Sequence, residues 1–209
     1  RLSYARRVPH GVVGVISPFN FPLILGLRSV APALALGNAV VLKPDTRTPV
    51  SGGFLMARVF EAAGLPAGLL QVLPGDAPAG EALVSDPRVP MIAFTGSPGV
   101  GRRIGELAGR HLKKVSLELG GANSLIILDD ADPDLAASNA AWGAWLHQGQ
   151  ICMASNRILV HEAIYGAARA AGVVVVAGTI VPYNTATPDA NARMHGVNAW
   201  IRRYCSTDP

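Results

Sequence analysis

The sequence contains little cysteine, little charge and no long hydrophobic run. Only two of its 209 residues are cysteines, without the spacing of a disulfide framework. This scarcity is typical of a reducing compartment, so we expect a cytoplasmic protein without structural disulfides. No apolar run reaches the ~18 residues that a membrane-spanning helix needs, and the first residues lack the apolar core of a signal peptide. We therefore predict no membrane partner.

Charged residues make up 15% of the chain, and the net charge is +4. The basic residues are scattered and form no stripe with interleaved aromatic residues, which argues against nucleic-acid binding. The histidines lack the spacing of metal ligands, so we predict no metal site. Half of the residues are hydrophobic, as expected for a parallel sheet that is covered on both faces or for a surface that normally meets another segment.

Short β-branched runs alternate with stretches of helical period along the chain. This order predicts βαβ units and therefore an α/β fold, a Rossmann-like parallel sheet with helices on both faces. We predict strands at 12–16, 39–42, 69–73, 91–94, 115–118, 124–128 and 156–160, and helices at 22–36, 49–63, 77–85, 100–109 and 133–147. A further C-terminal βα unit is predicted from the strand-like run at 173–176 and the helical pattern at 189–203.

Cys152 is the most informative single residue, because a Gly149-Gln150 pair leads into it. Upstream, Glu118 is followed by Leu119 and then by two glycines. A thiol nucleophile and a remote carboxylate base form a catalytic pair when the fold brings them together. The alternative is a small apolar thiol in the core, since free cysteine is among the most buried residue types.

Three further segments suit a dinucleotide. Residues 94–101 form a glycine-rich turn between a predicted strand and helix, where backbone N–H groups can approach a phosphate. Lys43 ends a strand, where open α/β sheets bind ligands. Asn20 lies in a stiff loop between aromatic residues and prolines and can aim an amide donor at an oxyanion. The alternatives are a plain strand-to-helix loop, a solvated lysine and a turn residue that bonds its own backbone.

These motifs together resemble the aldehyde dehydrogenase superfamily. The segments that carry the resemblance occur in the family's order: Pro18-Phe19-Asn20-Phe21-Pro22, Lys43-Pro44, Phe94-Thr95-Gly96-Ser97, Leu117-Glu118-Leu119-Gly120-Gly121 and Gly149-Gln150-Ile151-Cys152. The resemblance covers roughly residues 1–165, and the sequence of residues 40–53 looks most like that of benzaldehyde or vanillin dehydrogenases.

The resemblance implies NAD(P)-dependent oxidation of an aldehyde, here an aromatic one, to a carboxylic acid. Cys152 would attack the carbonyl as a thiolate and give a thiohemiacetal, whose oxyanion the Asn20 amide and the Cys152 backbone N–H would stabilise. Hydride transfer to the nicotinamide would leave a thioester, and Glu118 would activate the water that releases the acid.

The resemblance also implies a cofactor site, and the cofactor is NAD or NADP. The residues expected to line it are Ile16, Ser17, Pro18, Phe19, Lys43, Gly75, Phe94, Gly96, Ser97, Gly101 and Leu119. Many NAD-preferring members carry a glutamate where this chain has Thr46. Losing that carboxylate removes repulsion toward a 2′-phosphate, and Arg47 could attract one, so we expect NADP to be tolerated.

We expect three segments: a partial NAD(P)-binding domain at 1–119, the start of a catalytic domain at 120–165, and an unrelated tail at 166–209. The tail weakly resembles an SGNH (GDSL-type) hydrolase. Complete family members are much longer homo-oligomers, so we expect this chain to be truncated or fused, with impaired activity. The alternative functions are an ester-hydrolase fragment, an inactive fused fragment and a non-catalytic nucleotide-binding module.

Overall fold

The computed structural model describes residues 2–161 and 163–166 of the chain. These residues fall into two compact units, and the division lies between Gly120 and Gly121. The fold is α/β with parallel strands in both units, as the alternating sequence pattern predicts.

The first unit contains a five-stranded sheet with the order β3-β2-β1-β4-β5, in which every pair of neighbours is parallel. Its strands are β1 (Val12–Ile16), β2 (Ala39–Lys43), β3 (Leu70–Val72), β4 (Met91–Gly96) and β5 (Lys114–Leu119). The chain moves outward from β1 to β3 on one side, and then crosses to place β4 and β5 on the other side. The reversal between β1 and β4 is a topological switch point, the position where open α/β sheets bind ligands.

Four α-helices cover the two faces of this sheet: α1 (Pro22–Ala35), α2 (Leu55–Ala62), α3 (Ala77–Ser85) and α4 (Pro98–Arg110). Because side chains alternate along a strand, each strand contributes to two separate cores. Val13 and Val15 of β1 pack with residues of α1 and α2, whereas Ile16 packs on the cluster that α3 and α4 cover.

The segment before α2 differs from the prediction of one regular helix over 49–63. Residues Val50–Phe54 form a wide π-helical turn, and α2 begins only at Leu55. A Cβ added at Gly53 would lie 2.9 Å from side-chain atoms of both Pro44 and Val72. The backbone of this turn therefore lies so close to Pro44, which follows β2, and to Val72 of β3 that a residue with a Cβ would not fit without a shift.

The second unit consists of β6 (Asn123–Ile127), α5 (Pro133–Trp145) and β7 (Ser155–Val160), and its two strands are parallel neighbours. Asp132 caps α5, because its carboxylate accepts a hydrogen bond from the Leu135 N–H at 2.8 Å. The helix ends at Trp145 rather than near His147. His147 and Gln148 both adopt left-handed backbone angles, with φ of 54° and 55°, which an α-helix does not accommodate.

Most other predicted elements agree with the structure to within one or two residues at each end. The predicted C-terminal βα unit, with its strand at 173–176 and helix at 189–203, lies outside the described residues. Within the part of the chain that the structure describes, each helix is too short or too polar to cross a lipid bilayer.

Candidate active site

The carboxyl ends of the five parallel strands in the first unit form one edge of the sheet, and most of the predicted cofactor residues lie there. Ile16 ends β1, Lys43 ends β2 and Gly96 ends β4. Strand register places Ile16 beside Lys43 on one side and beside Phe94 on the other. The predicted residues therefore flank the switch point between β1 and β4.

The loop after β1 is tied to the neighbouring strand. The Ser17 N–H donates to the Lys43 carbonyl at 3.1 Å, which extends the β1–β2 ladder by one residue. The Ser17 hydroxyl is buried and has no hydrogen-bond partner among the described residues. A buried hydroxyl without a partner is uncommon. The Ser17 hydroxyl could therefore bind a ligand at the carboxyl edge of the sheet. Pro18, Phe19 and Asn20 follow, each partly buried.

Arg47 lies against this loop, where it contacts the Phe19 ring and pairs with Asp45. Its guanidinium is 3.5 Å from the centroid of the Phe19 ring. Two of its nitrogens donate to the Asp45 carboxylate at 2.8 and 2.9 Å, a bidentate pair. The side-chain hydrogen bond from Arg47 lowers the pKa of Asp45 below its ordinary value.

The turn between β4 and α4 leads into a helix N-terminus that can face an anion. Ser97 is the N-cap of α4, and its hydroxyl accepts from the Val100 N–H at 3.5 Å. The first turn of α4 contains no acidic residue, so the positive partial charge of its N-terminus is not neutralised there. The turn is thus suited to a phosphate group.

The glycines of this turn and the neighbouring Phe94 are set by close packing. Phe94 is buried in the core, so its side chain is not presented to a ligand. A Cβ on Gly96 would lie 2.5 Å from the Phe94 ring, and a Cβ on Gly101 would overlap the Leu119 side chain. Gly101 is thus a buried helical residue that lets α4 approach β5. Gly75 follows β3 with a φ of 153°.

Glu118 lies on the edge strand β5, directly opposite Thr95 of β4. Its side chain is 61% exposed, and its Oε2 is 3.2 Å from Nη2 of Arg28, which is 40% exposed. The same Arg28 nitrogen donates to the Thr95 hydroxyl at 3.4 Å. The proposed base is therefore a surface carboxylate at the carboxyl edge, held by a residue of α1.

Cys152 lies in the second unit, in the loop between the turn at 146–149 and β7, and it is exposed. The alternative of a thiol packed in the core is therefore wrong. The loop is held by Asn123, whose side-chain amide donates to the carbonyls of Cys152 at 2.7 Å and Ala154 at 3.2 Å. Three consecutive residues, 147–149, have positive φ just before the loop.

The first unit thus places most of the predicted cofactor residues at its carboxyl edge, with Asn20 in the loop after β1 and Glu118 near the end of β5. The second unit carries the predicted nucleophile in an exposed loop. Sequence reasoning missed Arg28 and Asn123. Arg28 resembles any solvated arginine of a helix, and its contact with Glu118 depends on the packing of α1 against the sheet. Asn123 closely follows the segment 117–121, and its polar side chain at the start of a strand was the signal that could have identified it.

The residues at the edge fit a dinucleotide. The fit rests on an available buried hydroxyl at Ser17, a cationic Lys43 at the end of β2 and an uncompensated helix N-terminus at Ser97. Among the described residues no group of three or more His, Cys, Asp or Glu side chains is arranged to hold a metal ion.

Comparison with known proteins gives one consistent result. A sequence model of the aldehyde dehydrogenase family matches residues 1–186. The chain is 67% identical over 165 residues to a vanillin dehydrogenase from an Amycolatopsis species, an alignment that covers 79% of this chain and 34% of that protein. It is 62% identical over 162 residues to a benzaldehyde dehydrogenase [NAD(+)] from Pseudomonas putida, with coverage of 78% and 33%.

Solved structures agree with these sequence matches. An NAD-dependent benzaldehyde dehydrogenase from Corynebacterium glutamicum has a TM-score of 0.74 at 50% identity, covering 82% of this chain and 40% of that one. The NAD+ complex of an aldehyde dehydrogenase from Bacillus cereus has a TM-score of 0.76 at 41% identity, covering 79% and 34%.

The chain spans about a third of the length of the curated relatives that it matches. The family match continues to residue 186, past the boundary predicted at 165. These comparisons give no support to the hydrolase resemblance of the tail at 166–209, and residues 167–209 lie outside the described part of the chain.

Proposed function

Because the chain belongs to the aldehyde dehydrogenase family, we propose that it serves the NAD-dependent oxidation of an aromatic aldehyde to the carboxylic acid. The observation that carries this proposal is the carboxyl edge of the five-stranded sheet, where the residues predicted to hold the cofactor flank a topological switch point together with Glu118. The accessible thiol of Cys152 supplies the nucleophile.

The proposed reaction has two halves. In the first, the Cys152 thiolate forms a C–S bond to the aldehyde carbon, and the Asn20 amide and the Cys152 N–H donate to the resulting oxyanion. When bound, the nicotinamide supplies the acceptor for the hydride that leaves this carbon, and a thioester remains on Cys152. In the second, the oxygen of a water molecule bonds to the thioester carbon while its proton passes to Glu118. The C–S bond then breaks, and its electron pair leaves on the sulfur.

The proposed cofactor is NAD rather than NADP. Two relatives are described as NAD-dependent benzaldehyde dehydrogenases. Arg47, the residue expected to attract a 2′-phosphate, already forms a bidentate pair with Asp45. A phosphate near this pair would meet the Asp45 carboxylate as well as the guanidinium, so the net attraction is small.

Binding of NAD tests the proposal without requiring turnover. Lys43→Met removes a cation from the carboxyl edge, and we expect it to weaken NAD binding to the purified chain by about tenfold or more in calorimetric titration, since hydrogen bonds to charged groups contribute about 1.5–3 kcal/mol. Lys114→Met is the matched control, because Lys114 begins β5 at the opposite edge. Absence of NAD binding to the unaltered chain, or equal weakening by both variants, would contradict the proposal.

The thiol is tested separately with benzaldehyde and NAD, following the appearance of NADH and benzoate. We expect Cys152→Ala to leave NAD binding unchanged and to abolish turnover. The second cysteine of the sequence provides the control, and Cys205→Ala is expected to leave turnover unchanged. Turnover that persists in Cys152→Ala would exclude Cys152 as the nucleophile.

A further inference from the structure

Arg28 joins three elements at the proposed base. It lies in the middle of α1, and a single nitrogen of its guanidinium contacts the Glu118 carboxylate of β5 at 3.2 Å and the Thr95 hydroxyl of β4 at 3.4 Å. Thr95 and Glu118 are direct neighbours in strand register. The position of the Glu118 carboxylate is thus restrained by Arg28 of α1 as well as by the backbone of β5.

This ion pair differs from those within single helices in that it connects a helix to the edge strand that carries the predicted base. Pairs such as Arg58–Glu61 and Arg110–Glu106 join residues three or four positions apart within one helix. Arg28 reaches Thr95 across 67 positions of sequence, and Glu118 lies further still. Ion pairs this exposed contribute little to stability. The consequence of the contact is therefore the orientation of one carboxylate.

The geometry assigns to Arg28 the role of a positioning residue for Glu118 in the second half of the reaction, an assignment that rests on the proposed function. The guanidinium lies against Oε2 of Glu118, so Oε1 is the oxygen assigned to accept the proton of the attacking water. Acylation of Cys152 does not need this proton transfer, whereas hydrolysis of the thioester does. Arg28 therefore acts on deacylation and leaves acylation unchanged.

Hydrolysis of p-nitrophenyl acetate separates the two steps without cofactor. The initial burst of p-nitrophenolate measures acylation of the thiol, and the steady-state rate measures deacylation. We expect Arg28→Met to lower the steady-state rate by about tenfold, a part of the 10²–10⁴-fold that general base catalysis supplies, while the burst amplitude stays the same. Arg28→Lys, which retains a cationic donor, is expected to recover part of the lost rate.

Arg103→Met is the matched control. Arg103 of α4 forms an exposed ion pair with Glu81 of α3 at 2.7 Å, so this variant also breaks a contact between two elements of the same unit. We expect it to change neither the burst nor the steady-state rate. Circular dichroism of each variant verifies that the fold is retained.

The assay is run on the 209-residue chain and on a chimera in which the matching stretch of this chain replaces its counterpart in the Amycolatopsis vanillin dehydrogenase. A burst followed by a steady-state rate that Arg28→Met does not lower overturns the role of Arg28 alone. A fall in burst amplitude parallel to the fall in rate also overturns it, because a general structural defect would give that result. Absence of a burst that depends on Cys152 in both proteins overturns the proposed function and the role of Arg28 with it.

Discussion

Asp45 and Arg47 form an ion pair just beyond the carboxyl end of β2. The Arg47 side chain and its backbone N–H all donate to the Asp45 carboxylate. The sequence singles out Arg47 but not Asp45, because the sequence does not show that the guanidinium turns back onto a residue two positions away and onto the Phe19 ring. That pairing weakens the expected attraction of Arg47 for a 2′-phosphate, and with it the argument that NADP is tolerated.

The Asp45–Arg47 pair gives a pH-dependent contribution to stability. In the folded chain the pKa of Asp45 lies below its ordinary value, chiefly because of the hydrogen bond from the Arg47 side chain. The contribution is therefore complete above the unfolded-state pKa and is lost as the pH falls through the lower, folded-state value. We expect Asp45→Asn to reduce the free energy of unfolding at pH 7 by up to about 1 kcal/mol, and the difference from the unaltered chain to shrink in acid.

Urea unfolding at pH 7, 5 and 3 measures this difference. Glu61→Gln, which removes an exposed helical ion pair, provides the comparison and is expected to have a smaller effect at pH 7. A constant difference between Asp45→Asn and the unaltered chain over this pH range would show that titration of Asp45 does not contribute.

Asn123 provides a second prediction for a single side chain. Because its amide bonds two carbonyls of the thiol loop, Asn123→Ala is expected to raise the hydrogen-exchange rates of amides 151–156 relative to those of β1. Hydrogen bonds of this kind each contribute about 0.5–1.5 kcal/mol, so the loss of two corresponds to an increase of roughly 5-fold to 150-fold. Ser124→Ala, at the next and exposed position of β6, is the control. Unchanged exchange in Asn123→Ala would rule out the restraint.

Secondary-structure elements differ in how much of them local sequence determines. The strand at 12–16 and the helix at 77–85 have the predicted bounds, because a β-branched run and a helical period each specify their own conformation. The wide turn at Val50–Phe54 was not predicted, since it depends on Gly53 packing against Pro44 and Val72 of other elements. The contact of Arg28 with Glu118 was missed for the same reason.

Gly53 offers a test of this packing. Gly53→Ala adds a methyl group 2.9 Å from atoms of a rigid proline and a β-branched valine, and overpacking of a filled site costs about 1–3 kcal/mol. We expect the unfolding midpoint in urea to fall accordingly. Gly109→Ala in α4 is the control, because nothing lies within 4 Å of its added Cβ and alanine favours a helix. Equal midpoints for the two variants would contradict the packing explanation.

At the scale of the whole molecule, the apolar cores of the described residues are unequally distributed between the two units. Both hydrophobic clusters are built from residues of the first unit. In the described part of the second unit, the buried hydrophobic residues are Ile127 and the three alanines Ala136, Ala140 and Ala154. Since stability against local opening follows buried apolar contact, the first unit is expected to be the more stable of the two.

Hydrogen exchange followed by mass spectrometry measures this difference in the intact chain. We expect amides of the central strands β1 and β4 to exchange about tenfold or more slowly than those of β6 and β7, because the larger core resists opening. Comparable protection of all four strands would indicate a single cooperative unit and would contradict the expectation.

The division of the chain between Gly120 and Gly121 also separates the predicted base, Glu118, from the predicted nucleophile, Cys152. The group that would activate water shares one sheet edge with the residues that would hold the hydride acceptor, whereas the sulfur is carried by a βαβ unit of its own. Under the proposed function, exchanging the predicted nucleophile, for example Cys152→Ser, is therefore expected to leave the predicted cofactor-binding edge intact. Altering that edge, in contrast, is expected to change the hydrolytic step as well, because neighbouring strand ends would serve both.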